Sequence, residues 1–112
     1  MQINIYGKTK EIADKKLKNI FDSLDKSDIE KVWVSSIYYP YMVQTHSGDI
    51  YRALFVSDYC RGYKCDKAYI DKNISLEKLN SFVFHTLIDC KDENVEYFWK
   101  IRSGNETGSC HL

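Results

Sequence analysis

Proline occurs once and glycine five times in the 112 residues, so the chain is neither collagen-like nor linker-rich. No apolar run approaches the ~20 residues that cross a bilayer. Neither sign of charge is in surplus, since 16 Lys+Arg balance 16 Asp+Glu. Such a balance excludes a disordered polyelectrolyte. It also argues against duplex nucleic acid as the partner, because phosphate-driven binding needs a positive excess. Met1-Gln2-Ile3-Asn4-Ile5 lacks the charged-then-apolar layout of a secretory signal, so a reducing cytosol is the expected compartment. There the four cysteines, Cys60, Cys65, Cys90 and Cys110, are expected as free thiols or metal ligands. Arginine is the scarce cation, three residues against thirteen lysines, and each offers bidentate and stacking recognition that lysine does not.

What is abundant is apolar and aromatic. A hydrophobic fraction of 44% is enough for one core, and a chain of this length makes one domain, 1–102, with a polar glycine-containing tail over 103–112. Gln2-Ile3-Asn4-Ile5-Tyr6 alternates as a half-buried strand does. Gly7 breaks it, and Thr9 is placed to cap a helix whose apolar side is Ile12, Ala13, Leu17, Ile20, Phe21 and Leu24. Lys31 to Ser36 and Tyr38 to Thr45 read as β structure bent at Pro40, and His46-Ser47-Gly48-Asp49 as a hairpin turn before the strand Ile50 to Ser57. Cys60 to Asp66 reads as a loop pivoting on Gly62, followed by a short strand from Lys67 to Asp71. Ser75 is placed to cap a second helix with Leu76, Leu79, Phe82, Val83, Leu87 and Phe84 inward, and Val95 to Ile101 is a last strand. The order β-α-β-β-β-β-α-β with a central hairpin predicts an α+β fold, a single mixed or antiparallel sheet with two helices.

Strand-Gly7-Lys8-Thr9-helix has the end of a phosphate loop but not its beginning. The earlier glycine position is occupied by Gln2, inside the strand, which leaves a glycine turn and a helix cap. Arg61-Gly62-Tyr63-Lys64-Cys65-Asp66-Lys67, followed by Ala68-Tyr69-Ile70-Asp71, is similar to the arginine-glycine loop and strand-end Asp of phage terminase and other ATPases. The acid that orients water in those enzymes is Lys72 here, so phosphoryl transfer is not expected. Cys60-x₄-Cys65 is too long for a tight zinc knuckle. His85, Cys90, Cys110 and His111 could complete a site, but no metal is expected.

Aromatics make up 14% of the chain, and each arginine has rings beside it: Arg52 with Tyr51 and Phe55, Arg61 with Tyr59 and Tyr63, Arg102 after Tyr97-Phe98-Trp99. Arginine forks onto phosphate while a ring stacks on a base, a pairing suited to a small nucleotide. The alternative left open is that the rings form core or oligomer surface and the arginines snorkel past them.

The opening Ile3-Asn4-Ile5-Tyr6-Gly7-Lys8-Thr9-Lys10-Glu11, the loop Arg61 to Lys67 and the overall size resemble the Thoeris anti-defence sponges of phages. The resemblance implies a protein with no enzymatic activity and no cofactor, acting in the cytoplasm of an infected bacterium. Such a protein holds a cyclic ADP-ribose isomer, or another cyclic nucleotide messenger, in a pocket between subunits of a homo-oligomer, from a dimer up to a hexamer. Ligand chemistry then selects candidates. Arg52, Arg61 and Arg102 suit phosphate or base; Tyr63, Phe82 and Trp99 suit stacking; Asp66, Asp71 and Asn105 suit ribose hydroxyls. Two competing readings remain: a metal-dependent hydrolase of small nucleotides built on Asp66 and Asp71, and an inhibitor of a host defence complex that binds through Tyr38-Tyr39-Pro40-Tyr41.

Overall fold

The computed structural model describes residues 1–34, 40–57, 60 and 62–99. Six strands form one mixed sheet: β1 (Gln2–Gly7), β2 (Ile29–Trp33), β3 (Tyr41–Thr45), β4 (Ile50–Phe55), β5 (Lys67–Asp71) and β6 (Val95–Phe98), in spatial order β2-β3-β4-β1-β5-β6. The β2-β3-β4 half is antiparallel, whereas β1 runs parallel to both β4 and β5, and β5 parallel to β6. The α+β class and the element order follow the expectation from sequence. The expected hairpin is the β3–β4 pair, and Gly48 at its turn has φ 101, a backbone conformation open to glycine. Gly62 has no positive φ, and it lies within the turn closed by the Tyr63 N–H on Cys60 O at 3.1 Å.

Helix α1 (Lys10–Ser23) follows β1 and packs on one face of the sheet, burying Ile12, Ala13 and Leu17 against Ile5, Val43, Ala53 and Phe98. Thr9 caps it, its hydroxyl accepting the Ile12 N–H at 3.2 Å. Lys16 shares this inward stripe, three and four residues from Ala13 and Ile12. It is only 5% exposed, with Nζ 5.4 Å and 5.2 Å from the ring centres of Tyr69 and Phe98. Burial lowers the proton affinity of this ammonium and the nearby Glu96 raises it.

The second helix departs from its expected regularity. Ser75 caps a single α-helical turn, α2 (Leu76–Lys78), which widens to a π-helical stretch at Leu79–Val83 and tightens to a 3-10 stretch at Phe84–Leu87. Leu76 is 67% exposed, while Leu79, Val83 and Thr86 face the core. This segment covers the sheet face opposite α1, packing on Tyr6, Leu54, Ala68 and Ile70. No helix among the described residues is long and apolar enough to cross a membrane.

The chain therefore leaves neighbouring strands β1 and β5 toward opposite faces, and the central strand β1 is covered on both. Period-2 alternation then has an unusual consequence. It sends Ile3 and Ile5 to the α1 side and Gln2, Asn4 and Tyr6 into the other layer, where water cannot satisfy buried polar groups.

Candidate functional site

Parallel register sets Asn4 beside Arg52 on β4 and Ala68 on β5. Asn4 is fully buried and fully bonded. Its Nδ2 donates to Tyr6 Oη at 2.8 Å and to Tyr63 O at 2.6 Å, and its Oδ1 accepts from Arg52 Nη1 at 3.1 Å. Tyr6 Oη lies 2.6 Å from Thr86 Oγ1, which itself donates to Val83 O at 2.6 Å. A threonine hydroxyl has one proton, so Tyr6 must be the donor to Thr86. The chain of bonds thus runs one way, from Arg52 through Asn4, Tyr6 and Thr86 to the Val83 carbonyl. That direction fixes the Asn4 amide with its oxygen toward Arg52. Burial raises the Tyr6 phenol far above its ordinary range, and the network stays neutral except at the guanidinium.

Arg52 is held on three sides. Nη1 bonds Asn4, Nη2 makes a close bond to Gln2 Oε1, and the guanidinium carbon lies 5.1 Å from the centre of the Tyr63 ring. Gln2 is steadied in turn by its own N–H, which donates to Asp66 Oδ2 at 2.8 Å. Among the described residues these partners are amide oxygens and a ring, and no carboxylate is ion-paired with Arg52. Burial lowers its proton affinity, which Tyr63, Tyr6 and Cys65 partly restore, and a guanidinium stays charged regardless. A half-buried cation with neutral neighbours favours an anion beside it. Its fork has five N–H groups, of which Asn4 and Gln2 take one each.

The far end of the parallel strands is differently organised. Asp71, fully buried, accepts the Lys8 N–H and the Asn73 N–H, each at 2.9 Å, and Asn73 Nδ2 at 3.2 Å. Its carboxylate ties the Gly7-Lys8-Thr9 turn to the end of β5. Lys72 Nζ sits 4.9 Å from the ring centre of Trp99, which is 39% exposed. A Cβ on Gly7 would lie 2.5 Å from Ala13 N and 2.7 Å from Thr9 O, so glycine is required there for the helix to dock on the strand end.

Nine sequence candidates are thereby sorted. Arg52, Tyr63 and Asp66 gather at one end of β1 and β5. Asp71 and Trp99 lie at the other, about 17 Å away along β5 by strand rise. Phe82 packs against the core of the second helical segment. Arg61, Arg102 and Asn105 lie outside the described residues, as do Tyr38 and Tyr39. Gln2, Asn4, Tyr6 and Thr86 join the site without having been singled out. Alternation did place the first three on one face, but a polar face ordinarily signals solvent.

A groove of about 730 Å³ lies elsewhere, between the outer side of α1 and the β2–β3 edge, lined by Lys10, Asp14, Lys18, Val32, Val34 and Tyr41. Its cations are answered locally, Lys10 by Asp14 at 3.3 Å and Lys18 by Asp22 at 2.6 Å, which leaves no local demand for an anion. The described residues contain no cluster of three or more His, Cys, Asp or Glu able to hold a metal. The chain matches no protein-family model, and comparison with curated proteins and with solved structures finds no match either.

Proposed function

We propose that this protein binds a small cyclic nucleotide messenger of the cyclic ADP-ribose type and sequesters it uncleaved, so that a bacterial defence effector is not switched on. One observation carries the reading: the half-buried Arg52 guanidinium, held by neutral amides against the Tyr63 ring, with no ion-paired carboxylate among the described residues. A phosphate supplies the missing charge and accepts the guanidinium fork, and a purine offers a ring to stack. A cyclic ligand brings little conformational freedom to lose, which favours tight capture.

Cleavage finds less support. A metal-dependent hydrolase would need Asp66 and Asp71 at one ion, and they stand at opposite ends of β5, each engaged by a backbone N–H. A chain of 112 residues with one core does not readily enclose a dinucleotide alone, so a second copy is proposed to complete the pocket in a homo-oligomer.

Native mass spectrometry and calorimetry with a panel of cyclic ADP-ribose isomers and cyclic di- and trinucleotides test this. The expected result is a stoichiometric complex whose ligand returns intact after heat denaturation. Arg52→Gln is expected to weaken it about 10- to 100-fold, the worth of a charge-assisted hydrogen bond, and Arg52→Lys to rescue it in part. Breakdown product in excess of protein, or no complex with any member of the panel, would overturn the proposal.

A further inference from the structure

Among the described residues the sheet ends in two edge strands, β2 and β6, each with a row of backbone N–H and C=O groups that no strand pairs. β2 is blunted in the usual ways: it is bulged between Ile29 and Lys31, and Glu30 and Lys31 are exposed on it. β6 runs unbroken beside β5 and carries one charge, on Glu96. Its Phe98 carbonyl accepts the Lys72 N–H at 2.8 Å, on the β5 side. Backbone groups alternate sides along a strand, so Glu96 also turns its own toward β5, while Val95 and Tyr97 point theirs outward. The side chains of Val95 and Tyr97 share the face of the second helical segment, where they line a cleft of about 430 Å³ with Phe84, Leu87 and Asp92. Tyr97 is 38% exposed beside it.

We propose that β6 pairs antiparallel with β6 of a second copy of this chain, about a two-fold axis at Tyr97, so that one sheet runs on through both subunits. A two-fold axis perpendicular to the sheet keeps opposed residues on one face, and one residue must then face itself. Centring on Glu96 would set two carboxylates directly opposite each other, which is unfavourable. Centring on Tyr97 sets two rings opposite each other and engages the outward N–H and C=O of both copies. Val95 then lies opposite Trp99, and Glu96 opposite Phe98. The strand ends agree in charge. Antiparallel pairing brings the start of one β6 beside the end of the other, so the exposed acidic turn Asp92-Glu93 approaches Lys72 of the second copy. Lys72 is exposed and stands over the Trp99 ring, with Nζ 4.9 Å from its centre.

This contact goes beyond messenger binding, since Arg52 lies on β4 with β1 and β5 between it and β6, and it is tested without nucleotide. Sedimentation equilibrium of the full-length protein across a range of concentrations should show self-association. Tyr97→Lys sets like charges across the axis and should weaken it about tenfold or more. Lys72→Glu should weaken it by roughly threefold to tenfold, and adding Asp92→Lys to that variant should recover most of the loss. Under mild oxidation Tyr97→Cys should give a disulfide joining position 97 of two copies, found by peptide mapping, because opposed Cα atoms stand about 5.5 Å apart. Glu96→Cys should not join to itself. A monomer at every concentration, the result if residues 100–112 or another protein cover this edge, would overturn the proposal. So would association that Tyr97→Lys leaves unchanged, the absence of a 97–97 link, or a 96–96 link. If circular dichroism shows Tyr97→Lys unfolded, the position of the link decides.

Discussion

At the scale of single residues, Thr86 controls more than its size suggests. Its one proton goes to the Val83 carbonyl, and this forces Tyr6 to donate and Asn4 to turn its oxygen toward Arg52. Thr86→Val keeps the shape and removes the hydroxyl, leaving the Tyr6 phenol proton and the Val83 carbonyl without this partner in a covered layer. The expected cost is about 1–3 kcal/mol, measured by denaturant unfolding. Because the Tyr6 phenol then has no acceptor at Thr86, its bond to Asn4 slackens, and messenger binding should weaken as well, although Thr86 lies two bonded residues from Arg52. Serine at the same position restores the hydroxyl and should recover most of both losses.

At the scale of elements, Gly7 and Gly62 make a controlled comparison. A methyl on Gly7 meets backbone on two sides, Ala13 N at 2.5 Å and Thr9 O at 2.7 Å, so α1 cannot start where it does. Gly7→Ala should cost roughly 1–3 kcal/mol by forcing the helix off the strand end, seen as a lower unfolding midpoint. A methyl on Gly62 meets nothing within 4 Å, and the residue has no positive φ. Gly62→Ala should therefore be neutral or stabilising by up to about 1 kcal/mol, through the unfolded chain alone. The second helical segment shows the same dependence of element on packing. Its apolar residues suggest one regular helix, but the pitch changes to π and then 3-10, and Leu76, which uniform α pitch would set on the same face as Leu79, Val83 and Thr86, is left exposed.

For the whole molecule, covering both faces of β1 puts acids with neutral ground states inside, and stability should respond to alkali. The Cys65 thiol, ordinarily near 9, is raised to about 11 by its burial first, and then by Cys90 and Asp66. A folded-state value above the unfolded one gives stability that is fully present below the unfolded pKa and lost as pH rises through the folded one. Denaturant unfolding at a series of pH values should show a decline that begins near pH 9 and continues through pH 11, on the order of 2–3 kcal/mol from this group. Cys65→Ala should flatten that decline, although Tyr6, raised in the same way, keeps some of it.

The legible part of this protein is local. Alternation in β1, the Thr9 and Ser75 caps, the Gly48 turn and the apolar side of α1 are written in short windows, because strand period, cap geometry and positive φ depend on neighbours a few residues away. Arg52 and Tyr63 could be singled out by chemistry, scarce arginine beside a ring. That Asn4, Tyr6 and Thr86 join them was settled only by the tertiary structure. Residue 4 meets residues 52 and 63, and residue 6 meets residue 86, across separations that no local pattern encodes. Strand order decided it: with β1 in the middle and a helical layer on each side, a row of polar side chains that would otherwise face water became a buried set of hydrogen bonds directed away from one cation.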